Sequence, residues 1–335
     1  MSLPQDKNKY LKLVQSIGNT IEGARNRAIK AVNTELLRAN WEIGKYIVEF
    51  EQYGNEKAEY GSALLDTLAK DLKQRFGKGF SKSNVYLMRQ FYLKFPIFQT
   101  LSGKLSWSHY AELLGVSDDT AREFYLKQCD KENWTVRELK RQINSSLFER
   151  LALSKDKKGI LELARDGLTV SQPKDIVKDP YILEFLKISE ELRMTESSLE
   201  QKIIDNLQVF LLELGKGFSF VGRQYRITLD NDHFYVDLVF YHRILRCFVL
   251  IDLKTRHVKH YDIGQMNLYL NYFKNEENTE GDNPPIGIVL GADKNDILVE
   301  YAIGGISNNI FVSKYQLYLP DKKELENKVK ELINE

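Results

Sequence analysis

The chain has 335 residues, 43% hydrophobic and 11% aromatic, enough to build two domains with buried cores. Its 48 lysines and arginines against 47 acidic residues leave a formal net charge of +1, so net charge announces no polyanion partner and any basic surface must be local. Cys129 and Cys247 stand far apart without metal-ligand spacing, which argues against a disulfide scaffold or a structural zinc site and fits a reducing compartment.

The opening MSLPQDKNKY lacks the apolar core of a secretory leader, and no run is long enough to span a bilayer. The expected location is cytoplasmic, without a membrane partner. Residues 10–150 read as helical, because Leu36, Leu37, Trp41, Ile43, Ile47 and Phe50 recur at three- and four-residue steps. Pro96 is the one proline there. Ser62–Phe76, the turn Gly77-Lys78-Gly79 and Ser81–Phe95 read as a helix-turn-helix, with Ser81 or Ser83 capping the second helix. Lys78, Lys82, Asn84, Tyr86 and Arg89 would then stand where a groove or phosphates could be reached. The same pattern also describes a plain helical hairpin. Trp107, Tyr110, Phe124 and Trp134 read as core.

The runs SKDKKG and SQPKD break the helical pattern, and a linker is expected over 154–180. This gives a helical domain at 1–153, for DNA binding or dimerisation, and a second domain at 181–335. In the second, Leu199, Ile203, Ile204, Leu207, Phe210, Leu211 and Leu214 form one helical stripe, ended by Gly215 and Gly217. Phe218–Leu229, His233–Tyr241 and Arg246–Lys254 read as an antiparallel meander turning at Asp230-Asn231-Asp232 and His242–Leu245. Tyr261–Phe273 reads as a helix, Ile286–Leu290 as a buried strand and Glu324–Ile333 as a charged terminal helix.

The chemistry concentrates in DNDHFYVDLVFYHRILRCFVLIDLK, Asp230–Lys254. Asp252 and Lys254 project from one face of a strand, and Asp237 lies on the strand before it. Carboxylates beside apolar strands are costly unless paired, and a divalent cation acting on a phosphodiester would pair them. A cross-strand salt bridge is the plain alternative. Glu200 sits on the apolar stripe of the preceding helix and could approach the same cation, although Ser197-x-x-Glu200 equally fits a capping box. Gln265 and Tyr269, four apart on the next helix, could orient water or phosphate and contact backbone or base, or simply pack. Arg223, Gln224 and Arg226, with Arg256, His257, Lys259 and His260, could form a basic rim for phosphates or a solvated charged loop. His257-x-x-His260 lacks a full transition-metal ligand set.

Helix, meander with Asp and then Asp-x-Lys, helix, strand resembles the core order of PD-(D/E)XK nucleases. Within that superfamily, FVGRQYRITLDNDHFYVDLVFYHRILRCFVLIDLK and GQMNLYLNYF resemble the YhcG-type nucleases. NWEIGKYIVEF, EYGSALLDTLAKDLKQRFGKGFSKSNVYLMRQFY, LSWSHYAELL and NWTVRELKRQI are similar to that family's N-terminal helical domain. The resemblance covers most of the chain. It implies an α+β chain of two domains: an all-α helical domain, helix-turn-helix-like, and an α/β restriction-endonuclease-like domain.

By position, Asp237 and Asp252 would be the strand carboxylates, Asp252 standing where many relatives have Glu. Lys254 would be the catalytic lysine, Glu200 the helix carboxylate and Gln265 the residue of the following helix. Val236 precedes Asp237, so the literal Pro-Asp dipeptide is absent. The implied activity is Mg²⁺-dependent hydrolysis of DNA phosphodiesters, with Mn²⁺ able to substitute. An endonuclease in a defence, mobile-element or DNA-processing setting is expected, assembled as a homodimer or higher oligomer. Arg223, Arg226, Arg256, Lys259 and Tyr269, with Lys78, Lys82 and Arg89 of the helical domain, would contact nucleic acid. A non-catalytic nucleic-acid-binding or assembly protein keeping this fold is the alternative, as is a structure-specific or RNA-directed nuclease.

Overall fold

A computed structural model of the chain describes residues 7–53, 58–188, 194–306 and 309–334. The first six residues of the opening segment lie outside them. The chain divides into two compact units, Met1–Arg122 with Cys129–Leu139 and Glu123–Gln128 with Lys140–Glu335.

The first unit is built from α1 (Lys7–Tyr53), α2 (Ala58–Phe76), α3 (Lys82–Lys94), α4 (Trp107–Leu114) and part of α5 (Asp119–Glu132) and α6 (Val136–Asn144). Gly77, at φ +91°, ends α2 in the left-handed conformation that glycine adopts without a Cβ clash. Ser81 is the cap of α3, accepting from the Asn84 amide at 3.2 Å. Leu37, Ile47 and Val48 of α1 and Val85, Met88 and Phe91 of α3 are buried. The Trp41 indole donates to the Phe95 carbonyl at 2.7 Å, so the ring fills the core with its one donor satisfied. Tyr110, Phe124 and Trp134 are buried and Trp107 half-buried, in line with their reading as core.

Residues 154–180, where the pattern predicts a linker, carry structure. After α7 (Leu147–Ala152) comes α8 (Lys157–Asp166), with Ile160, Leu163 and Ala164 buried. The polar breaks are its ends: Asp156 accepts from the Gly159 amide at 2.8 Å, and Gly167 stops it. Capping residues and linker residues have the same composition, so the two look alike in sequence.

The second unit continues with β1 (Tyr181–Ile182), α9 (Glu196–Asp205), α10 (Leu207–Leu214), β2 (Phe218–Leu229), β3 (Asp232–His242) and β4 (Cys247–His257). It ends with α11 (His260–Tyr272), β5 (Ile286–Asp293), α12 (Asp296–Ile303), β6 (Asn309–Gln316) and α13 (Lys322–Asn334). The six strands lie in the order β1-β6-β5-β4-β3-β2. The predicted meander β2-β3-β4 is antiparallel, and β4, β5, β6 and β1 run parallel. The sequence reading does not predict β1, β6 or α12. The single stripe Leu199–Leu214 is two helices meeting at Asn206. Leu199, Ile203, Phe210 and Leu214 cover one face of the sheet, over Ile251, Leu253 and Ile288. Ile263, Met266, Tyr269 and Leu270 of α11 cover the other, over Leu250 and Val289. Gly287 of β5 is what lets α11 settle, since a Cβ there would stand 2.5 Å from Met266 Cγ.

One buried charge cluster ties this unit together. Glu213, fully buried on α10, meets Arg150 Nη1 at 2.9 Å and Arg141 Nη1 at 3.1 Å. Its Oε1 also accepts from the Ile182 amide at 3.0 Å, and Lys178 donates to its backbone carbonyl. Burial works to raise the Glu213 carboxyl, but Arg150, Lys178 and Arg141 outweigh it and hold it at about 2. Breaking a buried pair strands the remaining charge, so Arg150→Ala should cost about 3–5 kcal/mol, read as an earlier urea midpoint of this unit. The folded value lies below the usual 4.5, so the stabilisation is complete above that value and fades as pH falls toward 2. Glu213→Gln should lack this acid-dependent loss in a pH series of unfolding curves.

Candidate functional site

β3 and β4 are paired from His242↔Cys247 to Leu238↔Ile251, and then part. Asp237 and Asp252 are the next residues on either side of the gap. Asp237 Oδ2 accepts from the Leu253 amide at 2.7 Å and so takes over a donor that the ladder has released. β4 remains in register with β5 through Asp252↔Val289 and Lys254↔Gly291, which fixes both charged residues in the middle of the sheet. Alternation places them on the face that carries Leu250, toward α11.

Asp252 is 3% exposed and Lys254 7% exposed. Lys254 Nζ stands 2.7 Å from Asp252 Oδ2 and 3.7 Å from Glu196 Oε2. The Lys254–Asp252 contact is close but poorly directed, and Oδ2 keeps no well-aligned hydrogen-bond donor. Glu200, on α9 and 5% exposed, joins the group through Gln224. The Gln224 amide donates to Glu200 Oε2 and, at 3.0 Å, to Asp237 Oδ1. Gln224 has φ +46°, a left-handed conformation in mid-strand that a side chain rarely takes without a reason. Its one amide is shared between two carboxylates.

Four carboxylates, Glu196, Glu200, Asp237 and Asp252, thus gather around Lys254 and the more distant Arg223, 4.0 Å from Glu200. Burial pushes Asp252 up to about 7, more than the adjacent Lys254 can offset. Burial likewise raises Asp237, against the Leu253 amide and Lys254, and raises Glu200. For Lys254 the desolvation cost is outweighed by Asp252, and its pKa is raised, so the ammonium stays charged. The cluster is therefore short of positive charge.

A hard divalent cation fits that deficit: oxygen donors only, and a buried Asp252 oxygen without an aligned partner. Asp237 and Asp252 are the pair that could hold it. Among the described residues, no three His, Cys, Asp or Glu side chains form a ready metal-ligand group. Glu200 is linked to Asp237 by the Gln224 amide instead of closing a three-carboxylate set.

The other expected residues divide. Gln265 is exposed on α11 and hydrogen-bonded to the Tyr269 hydroxyl beside Asp252 and Asp237. Tyr269, expected to contact nucleic acid, is 1% exposed and donates to the Tyr235 carbonyl at 3.1 Å. It supports the strand from within the core, packed with Ile263, Met266 and Leu270. Arg256 is held by Asp262 in two bonds of 2.8 Å, leaving little of its fork for phosphate. Arg223 is exposed and donates to Gln201, Arg226 is exposed beside His233, and Lys259 is exposed at the start of α11. His257 pairs with Asp293 at 3.1 Å and is not part of the cluster. Glu200 is no capping residue: Thr195 caps α9, accepting from the Ser198 amide.

Of the helical residues, Lys78 is exposed in the turn, Lys82 pairs with Asp66 at 2.7 Å and Arg89 grips Glu51 at 2.7 Å. In the sequence Gln224 reads as a rim residue, and Glu196 carries no signal of its own. Only the backbone at Gln224 turns its amide toward the carboxylates, and no residue pattern carries that signal.

Two family descriptions match the chain: "DUF1016 N-terminal domain" over residues 16–150 and "YhcG PDDEXK nuclease domain" over residues 174–330. An Escherichia coli (strain K12) protein named "Putative nuclease YhcG" is 39% identical over 348 residues, covering 94% of this chain and 92% of that one. Among solved structures, a repair endonuclease from Pyrococcus abyssi matches with TM-score 0.27 and 17% identity, over 39% of this chain and 50% of its own. The EndoMS-dsDNA2 complex matches with TM-score 0.28 and 16% identity, over 40% and 50%.

Asp252 binds its proton more tightly in the folded protein, at about 7, than at the usual 3.8. Cation-free protein should therefore lose stability as pH rises through that window. Asp252→Asn should remove this loss. Its thermal midpoint in EDTA at pH 8 should exceed the parent's, and the two should converge at the acid end of the window. A parent midpoint that stays flat from pH 4 to 7 would count against a buried, cation-hungry Asp252.

Proposed function

Because the chain belongs to the YhcG family of PDDEXK nucleases, we propose that it hydrolyses DNA phosphodiester bonds, with Asp237 and Asp252 holding Mg²⁺ or Mn²⁺. The observation that carries this reading is the parting of β3 and β4, which sets the half-buried Asp237, the buried Asp252 and a charged lysine in one cluster, both carboxylates raised. A bound cation would polarise the scissile phosphate and make water a better nucleophile. Asp237 is held in orientation by the Leu253 amide. Lys254 brings a fixed positive charge to where the phosphate develops negative charge, in a site where water screens little. Gln224 keeps Glu200 and Asp237 at a set spacing, and Gln265 offers an exposed amide to water or a phosphate oxygen.

Arg223, Arg226 and Lys259 would track the DNA backbone beside the site, with Lys78 and Lys82 adding contacts from the helical region. We place the protein in the cytoplasm as an endonuclease of a defence, mobile-element or DNA-processing system. A homodimer would present two sites to two strands. A purely binding protein would leave Asp252 and Lys254 buried at a cost with no return.

Asp237→Ala and Asp252→Ala should each cut cleavage by orders of magnitude, and EDTA should stop the parent protein. Lys254→Ala should cost roughly 10²–10³-fold. The assay is a panel of supercoiled, linear, branched and single-stranded DNA, with RNA beside it, in Mg²⁺ or Mn²⁺. Parent-like cleavage by Asp252→Ala would sink the assignment.

Glu200→Gln separates its possible roles, because the helix is capped elsewhere. Lower activity at limiting Mg²⁺ with an unchanged melting curve supports a site role, and unchanged cleavage makes Glu200 structural. Lys78→Ala with Lys82→Ala should weaken DNA binding and lower the slope of log K against log salt by about 0.9 per lost contact.

A further inference from the structure

α1 carries more exposed apolar surface than any other element described. Of its 47 residues, Leu37, Ile47 and Val48 face inward, and Gly44 lies against the Met88 backbone of α3. An adjoining face bears a second apolar stripe at positions 10, 14, 17, 21, 24, 28, 32, 36, 39, 43, 46 and 50, every one Tyr, Val, Ile, Ala, Leu or Phe, with Ile43 at its inner edge packed against the Ile47 core. The eight large side chains of this stripe other than Ile43 are 42–64% exposed. Eleven steps over 40 positions average about 3.6 residues, one helical turn, so the stripe runs straight along the helix.

The steps are 4, 3, 4, 3, 4, 4, 4, 3, 4, 3, 4, the same read from either end. A two-fold axis at position 30 therefore matches every stripe residue with another when a second α1 is laid antiparallel: Tyr10 with Phe50, Val14 with Tyr46, Ile17 with Ile43 and so on inward. The alanines fall toward the middle, where the two backbones can come close. Charge agrees with this direction. About position 30 Glu22 comes level with Arg38 of the second copy, and Arg25 with its Glu35; a parallel pair would set like charges side by side. Side chains half exposed in this number present on the order of 800 Å² per copy, the size of a standard stable interface.

We propose that α1 is a homodimer interface, in which the outer stripes of two copies pack antiparallel about residue 30. This gives the dimer named above a surface, and it does not depend on the nuclease chemistry. The full-length protein should have twice the 39.0 kDa chain mass by light scattering at micromolar concentration. Ile17→Glu with Ile21→Glu should return it to the single-chain mass, with an unchanged circular dichroism spectrum because both positions are exposed.

The direction is tested by Val14→Cys with Tyr46→Cys, while Cys129 and Cys247 stay buried. Within one chain these positions are about 48 Å apart, so a disulfide between them must join two copies. The double variant should give a linked dimer on mild oxidation, and each single variant should not. A single-chain mass for the parent, an undiminished dimer in Ile17→Glu/Ile21→Glu, or linkage by Val14→Cys alone would each overturn the proposal. A monomer that still cuts DNA would remove this interface and leave the nuclease reading standing. A linked dimer without cleavage would do the reverse.

Discussion

The site depends on one event in the sheet: β3 and β4 stop pairing after Leu238↔Ile251. Two strands that part must leave backbone donors and acceptors behind, and here the Asp237 carboxylate meets the Leu253 amide. The side chain that ends the ladder is thus also a member of the carboxylate cluster. On its other edge β4 continues unbroken along β5, so Asp252 and Lys254 cannot move away from their buried positions. The result is a carboxylate pair whose ionisation the fold opposes, beside a lysine whose ionisation it supports. A folded region tolerates that imbalance when a cation from outside completes it.

Gln224 adds a second layer of control. A neutral amide between two carboxylates reduces their repulsion without neutralising either, which keeps Glu200 and Asp237 close in the absence of a cation. Its left-handed backbone is a strain of the order of 1–3 kcal/mol, retained because the surrounding strand determines it. The positions that obey local rules build the sheet, and the one that breaks them serves the site.

Much of this was legible in the sequence. The meander, α11 and β5 announce themselves through β-branched and aromatic runs bounded by Asp230-Asn231-Asp232 and the Pro284-Pro285 pair. Asp237, Asp252 and Lys254 were visible because charge in such runs is rare. β6 was not, since Asn309–Gln316 mixes polar and apolar residues like a surface segment and becomes a strand through its parallel neighbours β5 and β1. The burial of Tyr269 and the capture of Arg256 by Asp262 were equally hidden, because helix spacing gives the face but not what covers it. α8 reads as a linker because capping and linking residues share a composition.

The Glu213 cluster has a meaning for how the chain is made. Synthesis runs from the N-terminus, so Arg141, Arg150 and Lys178 leave the ribosome before the acid they hold. The carboxylate never has to wait for a counter-charge still inside the tunnel. The sheet, encoded almost wholly after Glu213, is then laid onto an anchor whose ionic lock can already be closed.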